Sequence, residues 1–432
     1  MLDKVKPETS IEAVVEQFHS VRALTESLCE HLDVEDYNLQ AMPETSPVKW
    51  HLAHTSWFFE TFILKPFQTG FEPFDRDFEY LFNSYYNAVG AQFPRPRRHL
   101  LSRPTVSQVE QYRHSVTQAV IKLIKQSEQH LEQILALVIL GINHEQQHQE
   151  LLLTDLKYNL FQNPVLPCYR NSHSSKSNTK QKTELSKHQW VEFEPGLCQI
   201  GQDVGDGVDS KFAFDNESPK HKHYLEAFQL GSRLVTNGEF IEFMDDGGYC
   251  RADLWLSDGW VTKNEQDWSS PLYWFKDGDT WYHYTLNGVT KLCMDEPVSH
   301  VSFYEADAHA TWKGARLPTE QEWERVALEY SLEGNFLEAQ HFAPSLSKRK
   351  RLVEQLYGEL WQWTSSSYSP YPGYQILPGA VGEYNGKFMA NQYVLRGGSC
   401  VSSREHLRAS YRNFFYPDAR WQFSGIRLAK NL

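Results

Sequence analysis

His144 and His148 stand four residues apart in the segment Asn-His-Glu-Gln-Gln-His-Gln-Glu at 143–150, inside a long helical pattern. At that spacing both imidazoles leave one face of a helix. Such a pair can hold a transition metal and leave coordination positions open. A third ligand must come from elsewhere. The stretch Lys49–Glu60 offers His51 and His54, three residues apart on a second helical pattern, and both can face the interior. Three neutral histidines without a carboxylate suit Fe(II), Zn(II), Ni(II) or Cu(II), and spacing alone does not choose among them. Glu145 makes the segment a literal HExxH, the pattern of zinc proteases, but nothing else in the chain resembles a protease. Histidine pairs also occur on solvated faces. Here Ile134, Leu137, Ile139, Leu140 and Leu151 to Leu153 flank the pair and point to a buried helix, where polar residues need a bonding partner or a function.

The elements that position these residues follow from hydrophobic periodicity. Apolar residues at helical spacing mark Ile11–Leu32, Val48–Leu64, Thr105–Ile124 and His130–Phe161. Four long helices with one extended connection, Lys65–Pro104, predict a four-helix bundle, an architecture that builds metal sites from facing helices. The connection is long enough to be functional in its own right. The segment 171–187 is polar and rich in Ser and Lys, and reads as a linker or flexible loop. The domains are therefore expected at 1–170 and 188–432. Beyond Trp190 the segments are short and punctuated by Gly, Pro and aromatic residues, with helices expected at Thr236–Met244, Tyr304–Lys313 and Thr319–Tyr330. That is an α+β domain with much irregular structure.

Bulk properties narrow the function classes. With 432 residues the chain can build two or three full-sized cores. The formal net charge of −13 argues against a general nucleic-acid binder. No apolar run is long enough to span a bilayer, and Met1–Glu8 lacks a signal-like apolar stretch. The six cysteines are scattered without CxxC spacing, which suits reduced thiols and a cytoplasmic location. Aromatic content of 14% is high and suggests aromatic-lined pockets.

The segments SPVKWHLAHTSWFFE and NHEQQHQELLLTDL resemble the DinB-like domain of the hercynylcysteine sulfoxide synthases of ergothioneine biosynthesis. The second half resembles the formylglycine-generating-enzyme fold, a C-type-lectin-like α+β domain that these enzymes carry. The matching stretches include FDNESPKHKHYLEAFQLGSRLVTNGEFIEFM, ARLPTEQEWERVA, GELWQWTSSSY, VLRGGSC and RNFFYPDARWQFSGIRLA. The resemblance implies Fe(II) held by His54, His144 and His148, with His51 a supporting or packing residue. It implies O2 as co-substrate, and a thiol joined to C2 of the imidazole of hercynine (Nα-trimethylhistidine) with oxidation to a sulfoxide. The thiol is L-cysteine or γ-glutamylcysteine. By the same resemblance Tyr85 or Tyr86 supplies a proton during oxygen activation, a task suited to a phenol. Arg95 and Arg98 hold the carboxylate of the thiol substrate, and Gln147 contacts hercynine. Asn413, Phe414 and Phe415 line the pocket for its quaternary ammonium, which has no N–H donor and needs carbonyl dipoles or aromatic faces.

Rival readings remain at this point. In a true formylglycine-generating oxidase a cysteine pair shortly after the RGGS motif binds copper. Here Ser402 and Leu407 occupy those places. A DinB-type metal-dependent thiol transferase would share the three histidines without needing the second domain. Selenoneine and ovothiol-type synthases share the architecture, and a non-catalytic ligand-binding protein could share the second fold.

Overall fold

The computed structural model describes residues 11–170, 187–203, 212–346, 351–376 and 379–432. Most of the expected linker, 171–186, lies outside the described residues. The chain forms two compact units. The first comprises Met1–Gln162 together with two segments from far along the chain, Asp203–Asp215 and Gln375–Gly386. The second comprises Asn163–Gln202, Asn216–Tyr374 and Lys387–Leu432.

The first unit is a bundle of α1 (Ile11–Ser27), α2 (Val48–Phe59), α5 (Val106–Gln126) and α6 (Leu131–Phe161), with the short helices α3 (Lys65–Phe67) and α4 (Phe78–Phe82) in the long connection. Helix α1 buries Val14, Phe18 and Val21 at helical spacing. Helix α2 is buried on every face along its whole length. It runs on into a π-helical turn, Glu60–Leu64, so the expected helix to Leu64 is present but changes its hydrogen-bonding pattern. Thr105 caps α5 in a reciprocal box with Gln108, satisfying two N-terminal N–H groups. Helix α6 runs unbroken through His144 and His148. Gly141 allows α6 to meet α2 closely, since a Cβ there would lie 2.3 Å from Cε1 of the Phe59 ring.

The second unit contains short strands in four sheets. β1 (Trp190–Phe193), β4 (Phe228–Gly231) and β12 (Ala429–Asn431) form one, with β4 central. β2 (Gly196–Ile200) and β3 (His221–Leu225) form a two-stranded pair. β5 (Trp274–Asp277), β6 (Thr280–Thr285) and β7 (Gly288–Lys291) form a meander. β8 (Trp361–Ser367), β9 (Tyr393–Arg396), β10 (Asn413–Phe415) and β11 (Ser424–Gly425) form a four-stranded sheet in the order β10-β9-β8-β11. Helices α7 (Asn237–Asp245), α9 (Phe303–Trp312) and α10 (Glu320–Ala327) lie close to the expected positions. Each starts at a capping box, Thr236/Glu239, Ser302/Glu305 and Thr319/Glu322. Helix α8 (Ser257–Glu265) was not foreseen, because its sequence SDGWVTKNE carries no apolar stripe. The core holds Trp323, Trp361 and Trp363 and the buried Arg396, which donates to Glu320 at 2.9 Å and Glu324 at 2.8 Å. After Arg396 the chain turns through Gly397 and Gly398 at φ +104° and +78°, a conformation that favours glycine.

Candidate metal centre

His54 on α2 and His144 and His148 on α6 each offer one nitrogen, and these nitrogens all lie within 4.8 Å of one another. His54 and His144 are buried and His148 is half-buried. The rings are held in place by packing. Trp50 and Trp57 stack against His54 with centroids at 4.5 Å and 5.4 Å, and Phe58 lies 4.5 Å from His144. Trp50, His54 and Trp57 follow at helical spacing on α2, so one helix face carries the stack.

The electrostatics leave the imidazoles neutral. Burial pushes His144 down to about 3. Burial, followed by the neighbouring His144, pushes His54 and His148 well below the ordinary histidine value. A neutral imidazole has a lone pair to give, as a metal ligand must. The Nδ1–H of His54 donates to the Phe82 carbonyl at 2.6 Å, while Nε2 is buried without a hydrogen-bond partner. Both ring nitrogens of His144 are also buried without one. Unpaired polar atoms in a core are costly, and a metal ion at the point where these nitrogens converge would satisfy them. The donor set therefore fits a transition metal.

Glu145 takes no part in that site. Its carboxylate is fully buried and accepts from Arg22 at 3.0 Å, Arg113 at 2.9 Å and Thr25 at 2.7 Å. Burial alone would raise its pKa, but the two guanidinium groups hold it down to about 2. It is an anionic anchor joining α1, α5 and α6, which removes the protease-like reading of HExxH.

Tyr86 is fully buried, its ring 5.5 Å from Trp57 and stacked at 4.7 Å on the half-buried Tyr85. Burial raises Tyr85 to about 12 and Tyr86 well above the ordinary phenol value, so both keep their protons at neutral pH. The loop is held by Asn83, whose side chain donates to the Tyr86 and Gly90 carbonyls, each at 3.1 Å. Glu383 accepts from the backbone N–H groups of Asn87 at 3.1 Å and Ala88 at 2.7 Å.

Gln147 is half-buried one residue before His148, and its side-chain oxygen accepts from the Tyr384 hydroxyl. The Tyr384 ring lies 5.7 Å from His144 and stacks on Phe214 at 5.4 Å. Sequence reasoning missed Tyr384. It sits in an irregular glycine-containing stretch with no periodicity to mark it.

Arg95 and Arg98 share one 3-10 turn but not one environment. Arg95 is exposed and donates to the Glu44 carbonyl. Arg98 is buried, lies 3.4 Å over the Trp50 ring and donates to Ser46 Oγ at 2.8 Å. Its Nε has no hydrogen-bond partner, and among the described residues no carboxylate pairs with it.

Asn413, Phe414 and Phe415 form β10 of the second unit. Phe414 stacks on Tyr368 at 4.0 Å, Phe415 lies 6.2 Å from Trp421, and Asn413 Oδ1 accepts from the Phe414 N–H. All three are half-buried and keep partly open faces. Close to the RGGS turn, Ser402 is buried and its hydroxyl accepts from the Ser399 N–H at 2.9 Å. No thiol pair exists there to bind copper, because Cys400 stands alone.

Family models match both parts of the chain. The sulfatase-modifying factor enzyme 1-like domain matches residues 175–432, and the DinB superfamily matches residues 17–152. The chain belongs to the sulfatase-modifying factor enzyme 1-like family and carries a DinB domain before it. The expected fold class holds: a helical DinB-like bundle and an α+β domain with much irregular structure. A hercynine oxygenase of Mycobacterium tuberculosis is 35% identical over 247 residues, covering 52% of this chain and 57% of the relative. Ergothioneine biosynthesis protein 1 of Schizosaccharomyces pombe is 27% identical over 236 residues, covering 51% of this chain and 28% of the relative. A formylglycine-generating enzyme of Bos taurus is 26% identical over 284 residues, covering 55% of this chain and 74% of the relative. The chain spans 57% of the length of the mycobacterial relative. Among the described residues no helix is long and apolar enough to cross a membrane.

Proposed function

We propose that this protein is an iron(II)- and O2-dependent enzyme of ergothioneine biosynthesis that joins hercynine to a cysteine-type thiol and oxidises the sulfur to a sulfoxide. The observation that carries this reading is the convergence of the buried His54 and His144 and the half-buried His148 as neutral imidazoles, with Nε2 of His54 and both nitrogens of His144 bare of protein partners. The relatives named hercynine oxygenase and ergothioneine biosynthesis protein support the substrate.

Iron(II) held by His54, His144 and His148 would supply open positions for O2 and substrate and the redox chemistry that side chains lack. The chain's own residues do the rest. The protonated phenols of Tyr85 and Tyr86 stand ready to donate a proton. Gln147, fixed by Tyr384, presents an amide to the imidazole of hercynine. Arg98 is a buried cation without a carboxylate among the described residues, and the carboxylate of the thiol substrate would complete it, with Arg95 beside it on the same turn. The aromatic faces of Phe414 and Phe415 and the amide of Asn413 are assigned to the quaternary ammonium. The thiol is L-cysteine or γ-glutamylcysteine, and a cytoplasmic location suits both substrates.

The test is O2 consumption by the anaerobically purified protein supplied with Fe(II). Uptake is expected only when hercynine and a thiol are both present, with a hercynyl sulfoxide detected by mass spectrometry. Uptake that needs neither substrate, or His54→Ala with full activity, refutes the reading.

A further inference from the structure

His51 lies on α2 one turn before His54, and Asp155 on α6 two turns after His148, both buried. Asp155 Oδ2 accepts from the Ser46 N–H at 2.8 Å and faces His51 Nε2 at 3.1 Å. The other nitrogen of His51, Nδ1, faces Nδ1 of His148 at 2.9 Å. The proton positions follow from what each group can do. An ionised carboxylate only accepts, so His51 carries its proton on Nε2. A neutral imidazole has a single N–H, so His51 Nδ1 is bare and must accept. His148 then donates from Nδ1, and its Nε2 is left as a lone pair. His54 reaches the same state in one step, because the carbonyl of Phe82 can only accept from its Nδ1. His144 has no protein partner on either nitrogen.

We infer that Asp155 and His51 form a hydrogen-bonded relay that holds His148 in the tautomer able to bind a metal through Nε2. The inference rests on reading His54, His144 and His148 as a metal site. It makes His51 and Asp155 positioning residues that act through His148. Partners of this kind fix ring orientation as well as tautomer and raise ligand basicity. The device is asymmetric. The acceptor for His54 is backbone and cannot be removed by substitution, whereas the acceptor for His148 is a side chain supported by a second one. Both relay members ride on the helices that carry the ligands, so α2 against α6 sets ligand spacing and ligand tautomer together.

The decisive measurement is the tautomer of His148 in the full-length, metal-free protein, read by NMR of 15N-histidine-labelled chain and assigned with His148→Gln. The expected state is protonated on Nδ1. A His148 protonated on Nε2 overturns the inference with no variant required. The second measurement is Fe(II) affinity, read anaerobically by chelator competition, with Co(II) absorption bands as the spectroscopic signature. His51→Phe, which keeps a ring and removes the acceptor, is expected to weaken Fe(II) binding by about 10- to 100-fold and to shift the Co(II) bands. His51→Asn can place Oδ1 near the lost nitrogen and is expected to recover binding to within about threefold of wild type. Binding by His51→Phe within about twofold of wild type overturns the relay. Failure of the wild-type chain to bind Fe(II) overturns the metal-site reading instead, and the tautomer result still decides the relay.

Discussion

Arg22 donates from Nη1 to Glu145 Oε2 at 3.0 Å, both groups fully out of solvent. Glu145 directly follows His144, and one residue along a helix turns the side-chain direction by about 100°. The same two-residue step therefore presents an imidazole to the three-histidine cluster and an anchor to the neighbouring helices. Because Arg113 shares the carboxylate at 2.9 Å, removing it strands two buried cations.

Glu145→Gln is accordingly expected to destabilise the protein by about 3–5 kcal/mol, the cost of breaking a buried ion pair by deleting one partner. Thermal or denaturant unfolding measures it. A general base would behave oppositely, with stability unchanged and turnover lost.

Gly141→Ala places a methyl group 2.3 Å from Cε1 of Phe59, a ring buried in the bundle core. Overpacking is expected to cost about 1–3 kcal/mol, and the pressure falls between the two ligand-bearing helices. Fe(II) affinity is expected to drop with stability. Pairing the change with Phe59→Leu should restore part of both. Unaltered stability of Gly141→Ala would show that the helices are not in contact at this point.

Arg98→Met separates substrate binding from folding. The buried guanidinium has no carboxylate partner among the described residues, so stability is expected to hold or rise when the charge is removed. The KM for the thiol substrate is expected to rise at least about tenfold, the scale of a lost charge-assisted hydrogen bond. The KM for hercynine should stay put. Steady-state kinetics with each substrate varied in turn checks this, and equal changes in both KM values contradict the assignment.

Glu359 in the second unit gives a pH dependence of defined sign. It accepts from Ser345 N–H at 2.7 Å and Asn335 at 3.1 Å, yet burial outweighs these bonds and pushes it up from 4.5 to about 7. Its folded value is above its unfolded value. The folded state therefore binds the extra proton between these limits, and stability falls as pH rises from 4.5 through about 7. Glu359→Gln should remove that slope. It is expected to be more stable than wild type at about pH 8, by on the order of 2 kcal/mol, and equal to it at about pH 4. Denaturant titrations at the two pH values provide the check, and identical curves at the higher pH would refute it.

Helical periodicity made the four bundle helices legible, although α2 is buried on every face rather than along one stripe. The i, i+4 spacing of His144 and His148 likewise implied a shared direction. Periodicity failed at α8, whose residues lack a stripe, and at Glu60–Leu64, where the pattern persists while the hydrogen bonds shift to a π-helical turn. Helices α7, α9 and α10 lie close to their expected ranges, each opening at a capping box, whereas the short strands around them have too few residues to show a period.

By itself, then, the sequence determined which residues can serve as ligands and which helices carry them, since backbone geometry converts spacing into direction on a single element. Choosing among partners needed the tertiary structure. Packing of α2 on α6 brings His54 together with His144 and His148, and turns His51 toward Asp155. Packing of α1 and α5 on α6 surrounds Glu145 with arginines, and among the described residues Arg98 is left without a carboxylate. The return of the segment Gln375–Gly386 to the first unit brings Tyr384 to Gln147 across 237 residues of chain. Such pairings depend on how separate elements meet, and no spacing along the chain encodes that distance.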